Sequence, residues 1–248
     1  MRTNSWALKI ISFITIITLW QIVSLIAGEF FVPSPIATIS AFIKLIISGE
    51  LPKALLFTIQ VLLLGFVASL VIGIVSGLIL GWFKPLGMAL EPYINALNST
   101  PHIVFIPIII LWLGIDVEAR IFYVLFASIF PIIINTMYGV KYCDENLIET
   151  AKAYHASQRE ILTKVVLPGS LPFIMSGLKI GLARSIISVI ISEMFFKLAG
   201  TGALILKYGD LFRLDAVFAI IIAIIILTQS IFKITDIAEK RAARWRQE

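Results

Sequence analysis

Six long runs of apolar residues dominate this chain of 248 residues and leave few folds open to it. An α-helix rises ~1.5 Å per residue, so crossing a hydrocarbon core of ~30 Å takes ~20 mainly apolar residues. The runs extend from Ile10 to Gly28, Ala54 to Phe83, Ile103 to Gly114 with its upstream apolar shoulder, Ile121 to Val140, Leu171 to Phe195, and Ala216 to Phe232. Each reads as a helix, because lipid offers backbone amides no hydrogen-bond partner and a helix satisfies them within the segment. The expected fold class is therefore an all-α membrane protein with about six transmembrane helices, organised as one domain over 1–248. With 59% hydrophobic and 14% charged residues and a mean hydropathy of +1.01, a compact water-soluble enzyme is excluded. The net charge of +5 does not point to nucleic acid, since no basic stripe interleaved with aromatics occurs. A single cysteine, Cys143, cannot close an intrachain disulfide.

The first run follows Arg2 and Lys9 and lacks a small-x-small cleavage site, so it reads as a retained anchor rather than a signal peptide. Six spans place both termini on one side. With the N-terminus inside, the cytoplasmic segments carry twelve cations, from Arg2 and Lys9 through Lys141 and Arg159 to Arg244 and Arg246. The opposite side carries six, Arg120 and Lys207 among them, and this asymmetry favours cytoplasmic N- and C-termini. Between the first two spans, Ser34 and Pro35 form an N-cap and first-turn pair, and Gly49 is a natural C-terminal stop. The helix predicted over about 35–48 repeats Ile36, Ile39, Ile43 and Ile46 and should lie along the membrane surface. Gly65, Ser69, Gly73, Gly77 and Gly81 recur every four residues, a small-residue ridge of the kind that lets helices approach closely in lipid. Pro107 and Pro131 fall inside later spans, where each removes a backbone donor and can kink its helix.

The polar stretch from Asp144 to Pro168 is longer than a simple connection requires. Asp144 can cap a first short helix whose face carries Leu147, Ile148, Ala151 and Tyr154. Ser157 can cap a second, with Glu160 completing a capping box, and this helix is expected to end before Leu167 and Pro168. His155 lies between them. An ordered amphipathic hairpin outside the membrane either covers its own chain or binds another.

Glu149-Thr150-Ala151, position 155, Val165, Leu167 and Pro168 together resemble the EAA motif of bacterial ABC importer permeases. Pro33-Ser34-Pro35, Thr100-Pro101, Leu111-Trp112-Leu113-Gly114, Ser176-Gly177-Leu178-Lys179 and Ser192-Glu193-Met194 are similar to the branch that imports nitrate, sulfonates, taurine, bicarbonate or thiamine precursors. The resemblance implies a type I ABC importer permease-like fold in a bacterial-type inner membrane. It also implies a homodimer of permease chains, two ATP-binding subunits carrying ATP and Mg, and a periplasmic or lipoprotein substrate-binding protein. On that basis Glu149, Thr150, Ala151, Tyr154, His155, Ala156 and Ser157 would couple the membrane part to the ATPase. Two residues depart from the pattern, Thr150 for an alanine and His155 for a glycine. If the glycine serves to provide positive φ, histidine is among the side chains that tolerate it at some cost.

Within the spans, Arg184 and Glu193 are the candidates for the solute path. A cation at bilayer depth is directed at a cavity or a partner, and Lys179 is close enough to a helix end to snorkel instead. No nucleotide-binding loop, zinc-protease helix or nucleophile elbow occurs, so no catalytic residue, metal site or cofactor is expected on this chain. An ion-coupled secondary transporter, the competing reading, would show an inverted repeat and buried acids in its spans, and the sequence displays neither.

Overall fold

A computed structural model describes residues 5–197 and 199–242. Arg2, Arg244 and Arg246, counted above in the charge asymmetry, lie outside the described residues. Among the described residues five helices are long and apolar enough to cross a membrane, and a sharply bent pair adds a sixth if the two halves form one span. The chain separates into two compact units, one from Met1–Phe57 with Lys197–Thr228 and the other from Thr58–Phe196 with Gln229–Glu248.

The first unit contains α1 (Ser5–Ala27), α2 (Pro35–Ile47) and the start of α3 (Glu50–Trp82). It also takes in α10 (Thr201–Asp210) and the first half of α11 (Leu214–Ala242). Helix α2 begins as its sequence dictates, with the Ser34 hydroxyl accepting the Ala37 amide at 3.2 Å, and stops where Gly49 takes φ +75°. Its burial runs opposite to that of a soluble helix. Ile36, Ile39, Ile43 and Ile46 face outward and Thr38 is buried, while Ala41 and Leu45 pack inward against Leu51, Tyr208, Ala216 and Ala219. Lipid accepts isoleucine side chains as readily as a protein core does, so the isoleucine stripe is not forced inside. The Glu50 carboxylate accepts hydrogen bonds from Lys207 Nζ at 2.7 Å and Tyr208 Oη at 3.2 Å.

The second unit is organised around α6 (Val117–Lys141), which lies between α3 and α9 (Leu167–Phe196). On one side the glycine ridge of α3 meets it in register, Gly65 on Val124, Gly73 on Ile132, Gly77 on Thr136 and Gly81 on Val140. On the other side Gly177 and Gly181 of α9 approach Asn135 and Ile132, and Gly139 of α6 approaches Phe173 and Ser170. Small residues on both flanks let three backbones come together where hydrophobic burial supplies no drive. Buried serines turn back on their own helices, Ser128 to Val124 O and Ser170 to Val166 O, each at 2.7 Å, so neither of these hydroxyls needs a second helix.

Two expectations are corrected here. In place of a continuous third span the chain has a bent pair, α4 (Lys84–Ser99) followed by a short 3₁₀ turn (His102–Phe105) and α5 (Ile106–Leu113), bent by 94°. Pro101 drives its predecessor Thr100 into an extended conformation (ψ 134°), which ends α4. Pro107 sits in the first turn of α5, where a missing N–H leaves no gap. The second correction concerns Leu167 and Pro168, which do not end a helix. From Gln158 to Phe196 the chain runs as a single helix of 39 residues, comprising α8 (Gln158–Glu160), a π-helical stretch (Ile161–Val166) and α9. The wider turn before Pro168 accommodates a residue that lacks a donor and would crowd the carbonyl four positions back.

Candidate functional site

Helix α7 (Glu145–Ala153) and α8 form the predicted hairpin, and local chemistry sets each corner. The Asp144 carboxylate accepts the Asn146 amide at 2.9 Å. Beyond α7 the His155 amide donates to Lys152 O at 2.9 Å and the Ala156 amide to Ala151 O at 3.0 Å, closing the helix end. This closure requires a left-handed residue, and His155 supplies it with φ +59°. The Ser157 amide then donates to Glu160 Oε2 at 3.0 Å while the Glu160 amide donates to Ser157 Oγ at 3.3 Å, a reciprocal capping box. Lys164 Nζ reaches Glu160 Oε1 at 3.0 Å.

The face predicted for α7 is divided. Ile148, Ala151 and Ala156 pack on a small core of Val140, Cys143, Ile161 and Val166, with Trp82 and Leu78 of α3 alongside. Burial within that core pushes the Cys143 thiol up from the ordinary thiol range. Leu147 and Tyr154 instead point out of the structure, 53% and 84% exposed. Glu149, Thr150, His155 and Ser157 are exposed as well. A cleft of about 400 Å³ runs beside the hairpin between Glu149, Lys152, Trp82 and Lys84. The hairpin is thus anchored by one face and offers an apolar residue pair on the other.

Arg184 and Glu193 lie on the same helix but belong to different surroundings. Arg184 Nη1 donates to Asn98 O at 3.2 Å and lies 3.5 Å from His102 Nδ1, at the elbow between α4 and α5. Glu193 is wholly buried, contrary to the expectation that no acid is buried in a span. Its charge is opposed by Arg120, itself wholly buried in the first turn of α6, with its guanidinium 5.8 Å from the Phe196 ring. Arg120 therefore does not act as an exposed loop cation. Lys179 is not a lone snorkelling charge either, because it is paired with Asp236 and Glu239 of α11. Arg120, Asn98 and His102 carried no signal in the sequence, since each pairing joins residues dozens of positions apart. Among the described residues no cluster of His, Cys, Asp and Glu could hold a metal.

Residues 69–244 match the family described as binding-protein-dependent transport system inner membrane component. A permease of Escherichia coli (strain K12) named for aliphatic sulfonates transport is 33% identical over 99% of this chain and 92% of its own length. A second permease from the same organism, of a taurine transport system, is 30% identical over 56% of this chain and half of its own length. The fold is shared with an inward-facing methionine ABC transporter structure, with a TM-score of 0.69, 21% identity and coverage of 80% of this chain and 98% of that one. With most of its length inside the family match and its helical membrane fold in common, the chain belongs to the binding-protein-dependent transport system inner membrane components.

Proposed function

We propose that this chain is the permease subunit of an ATP-binding cassette importer for a small organic anion and that residues 144–168 are its handle for a separate ATP-binding subunit. The observation that carries this reading is the division of the hairpin, one face clamped on the ends of α3 and α6 and the other presenting Tyr154 and Leu147. An exposed aliphatic and aromatic pair on a polar, tightly capped hairpin favours an aromatic anchor in a partner's groove. Glu149 borders it as a polar or ionic contact. The uninterrupted helix from Gln158 into α9 would carry any displacement of the hairpin into the membrane as a rigid-body movement.

ATP and Mg would reside on that second subunit, in two copies beneath two permease chains, with a binding protein delivering the solute from the opposite side. The excess of Lys and Arg on one side favours cytoplasmic N- and C-termini, which puts the hairpin in the compartment that holds ATP. Both relatives are named for solutes that carry a sulfonate group, which supports a cargo bearing an anionic oxygen group. Glu193, neutralised by Arg120, would hold α6 and α9 together near the gate, and Arg184 would face the cargo. The test is reconstitution with the cognate ATP-binding subunit and binding protein, comparing the native chain with a Tyr154→Ala, Leu147→Ala double variant. The double variant should lose solute-stimulated ATP turnover while its melting temperature stays unchanged. Full turnover, or uptake by the chain alone under an ion gradient, would overturn the reading.

A further inference from the structure

The elbow between α4 and α5 contains a cation whose chemistry is only half used. Asn98 lies in the last turn of α4, so Arg184 Nη1 takes a carbonyl that the helix leaves without an amide donor. The hydrogen bonds of Arg184 involve Nη1 alone, leaving the Nε and Nη2 side of the fork unengaged. Arg184 forms no ion pair among the described residues, whereas Lys141 meets Glu91, Lys179 meets Asp236 and Glu239, and Arg120 is opposed by Glu193. A half-buried guanidinium inside a span, held by a backbone carbonyl, without a carboxylate and with one edge unused, is the kind of group that marks an ion or solute path.

His102 adds a second, independent observation. It is 9% exposed, its ring lies 5.7 Å from Phe126 and 5.9 Å from Phe130, and its Nε2 is buried with no hydrogen-bond partner among the described residues. From the buried Phe130 a row of rings leads outward, Phe130 to Phe126 at 5.3 Å and Phe126 to the exposed Phe122 at 6.3 Å. His102 thus joins the cation to the aromatic row at the bend between α4 and α5.

We propose that Arg184 is an oxyanion-binding step of the solute path, with its guanidinium positioned by Asn98 and His102 and the Phe122–Phe126–Phe130 row receiving the apolar part of the same solute. This rests on the importer reading above. A guanidinium fork matches two oxygens of a sulfonate or carboxylate, and the phenylalanines select for a carbon tail over a small inorganic anion.

The test uses the full chain in phosphatidylcholine nanodiscs, with phenylglyoxal labelling of position 184 followed by peptide mass spectrometry. Butanesulfonate or butyrate at about ten times its half-protecting concentration should slow labelling about tenfold, and butanol should not. His102→Phe should weaken that protection about tenfold by removing the ring nitrogens, and His102→Gln should restore it. Equal labelling under all three additives, or no labelling at all, would overturn the proposal. So would labelling that is slow without added anion and recovers only when lipid is stripped away, since a headgroup would then occupy the site. ATP turnover separates the two readings. Lost protection with intact ATP-driven uptake sinks the anion step alone, while intact protection without any coupling to an ATPase sinks the importer reading alone.

Discussion

Gly77 provides a direct measure of how tightly α3 lies on α6. A Cβ added there would stand 2.5 Å from Thr136 Cβ and 2.8 Å from the Ile133 carbonyl oxygen. Ordinary carbon contacts begin near ~3.5 Å, so Gly77→Ala requires the two helices to part by about 1 Å or Thr136 to abandon its position. The carbonyl cannot move without distorting α6. Overpacking of this kind costs about 1–3 kcal/mol, against which alanine returns up to ~1 kcal/mol of helix propensity. The net effect is a loss of up to about 2 kcal/mol. Gly209 near the end of α10 is the control, since a Cβ there meets nothing within 4 Å. Gly209→Ala should therefore gain up to ~1 kcal/mol through propensity alone. Thermal unfolding in nanodiscs should move the two variants in opposite directions. If Gly77→Ala gains stability as Gly209→Ala does, the close approach of α3 and α6 is refuted.

Three further outcomes follow from the same contacts. His155→Gly should stabilise the hairpin by up to ~1 kcal/mol, because glycine takes φ +59° without a Cβ penalty, and slower hydrogen exchange at Ala156 would register it. Faster exchange would mean that the imidazole contributes more than its strain. Glu193→Ala removes the stronger of the two carboxylates, Glu193 and Asp116, that oppose the buried Arg120 and should cost up to about 3–5 kcal/mol, seen as lost folded yield. The exchanged pair Arg120→Glu, Glu193→Arg should recover part of it. Cys143, its thiol held above the usual range by burial, should react with a maleimide slowly at pH 7 and faster as the pH rises toward that raised value. Fast labelling at pH 7 would show that the base of the hairpin opens.

Much of this architecture is legible in the order of residues because lipid imposes few rules and local chemistry obeys them. Run length gives the spans, the four-residue recurrence from Gly65 to Gly81 gives the close-packed face, and Ser34, Asp144, Ser157 and Glu160 act as the caps their positions suggest. Even the histidine in place of a glycine reads correctly as a left-handed residue. The illegible parts depend on distant pairing or on competition between neighbouring signals. Thr100-Pro101 breaks one span at 94°, whereas Leu167-Pro168 is absorbed into a π turn, and only the surrounding packing distinguishes them. The direction in which α2 turns its isoleucines cannot be read from periodicity, because lipid and core both accept them. Arg120 looks like a loop charge until Glu193, 73 positions later, is placed beside it.

The central claim is that the outward side of the 144–168 hairpin rests in an ATP-binding subunit. Replacing Tyr154, a residue 84% exposed, with the photoreactive p-benzoylphenylalanine and irradiating the assembled transporter tests it directly. The account predicts an adduct to the ATP-binding subunit from position 154, and none from position 36 on the outward isoleucine stripe of α2. An adduct to lipid or to the solute-binding protein from position 154, or no adduct in an assembly that still hydrolyses ATP in response to solute, would contradict it.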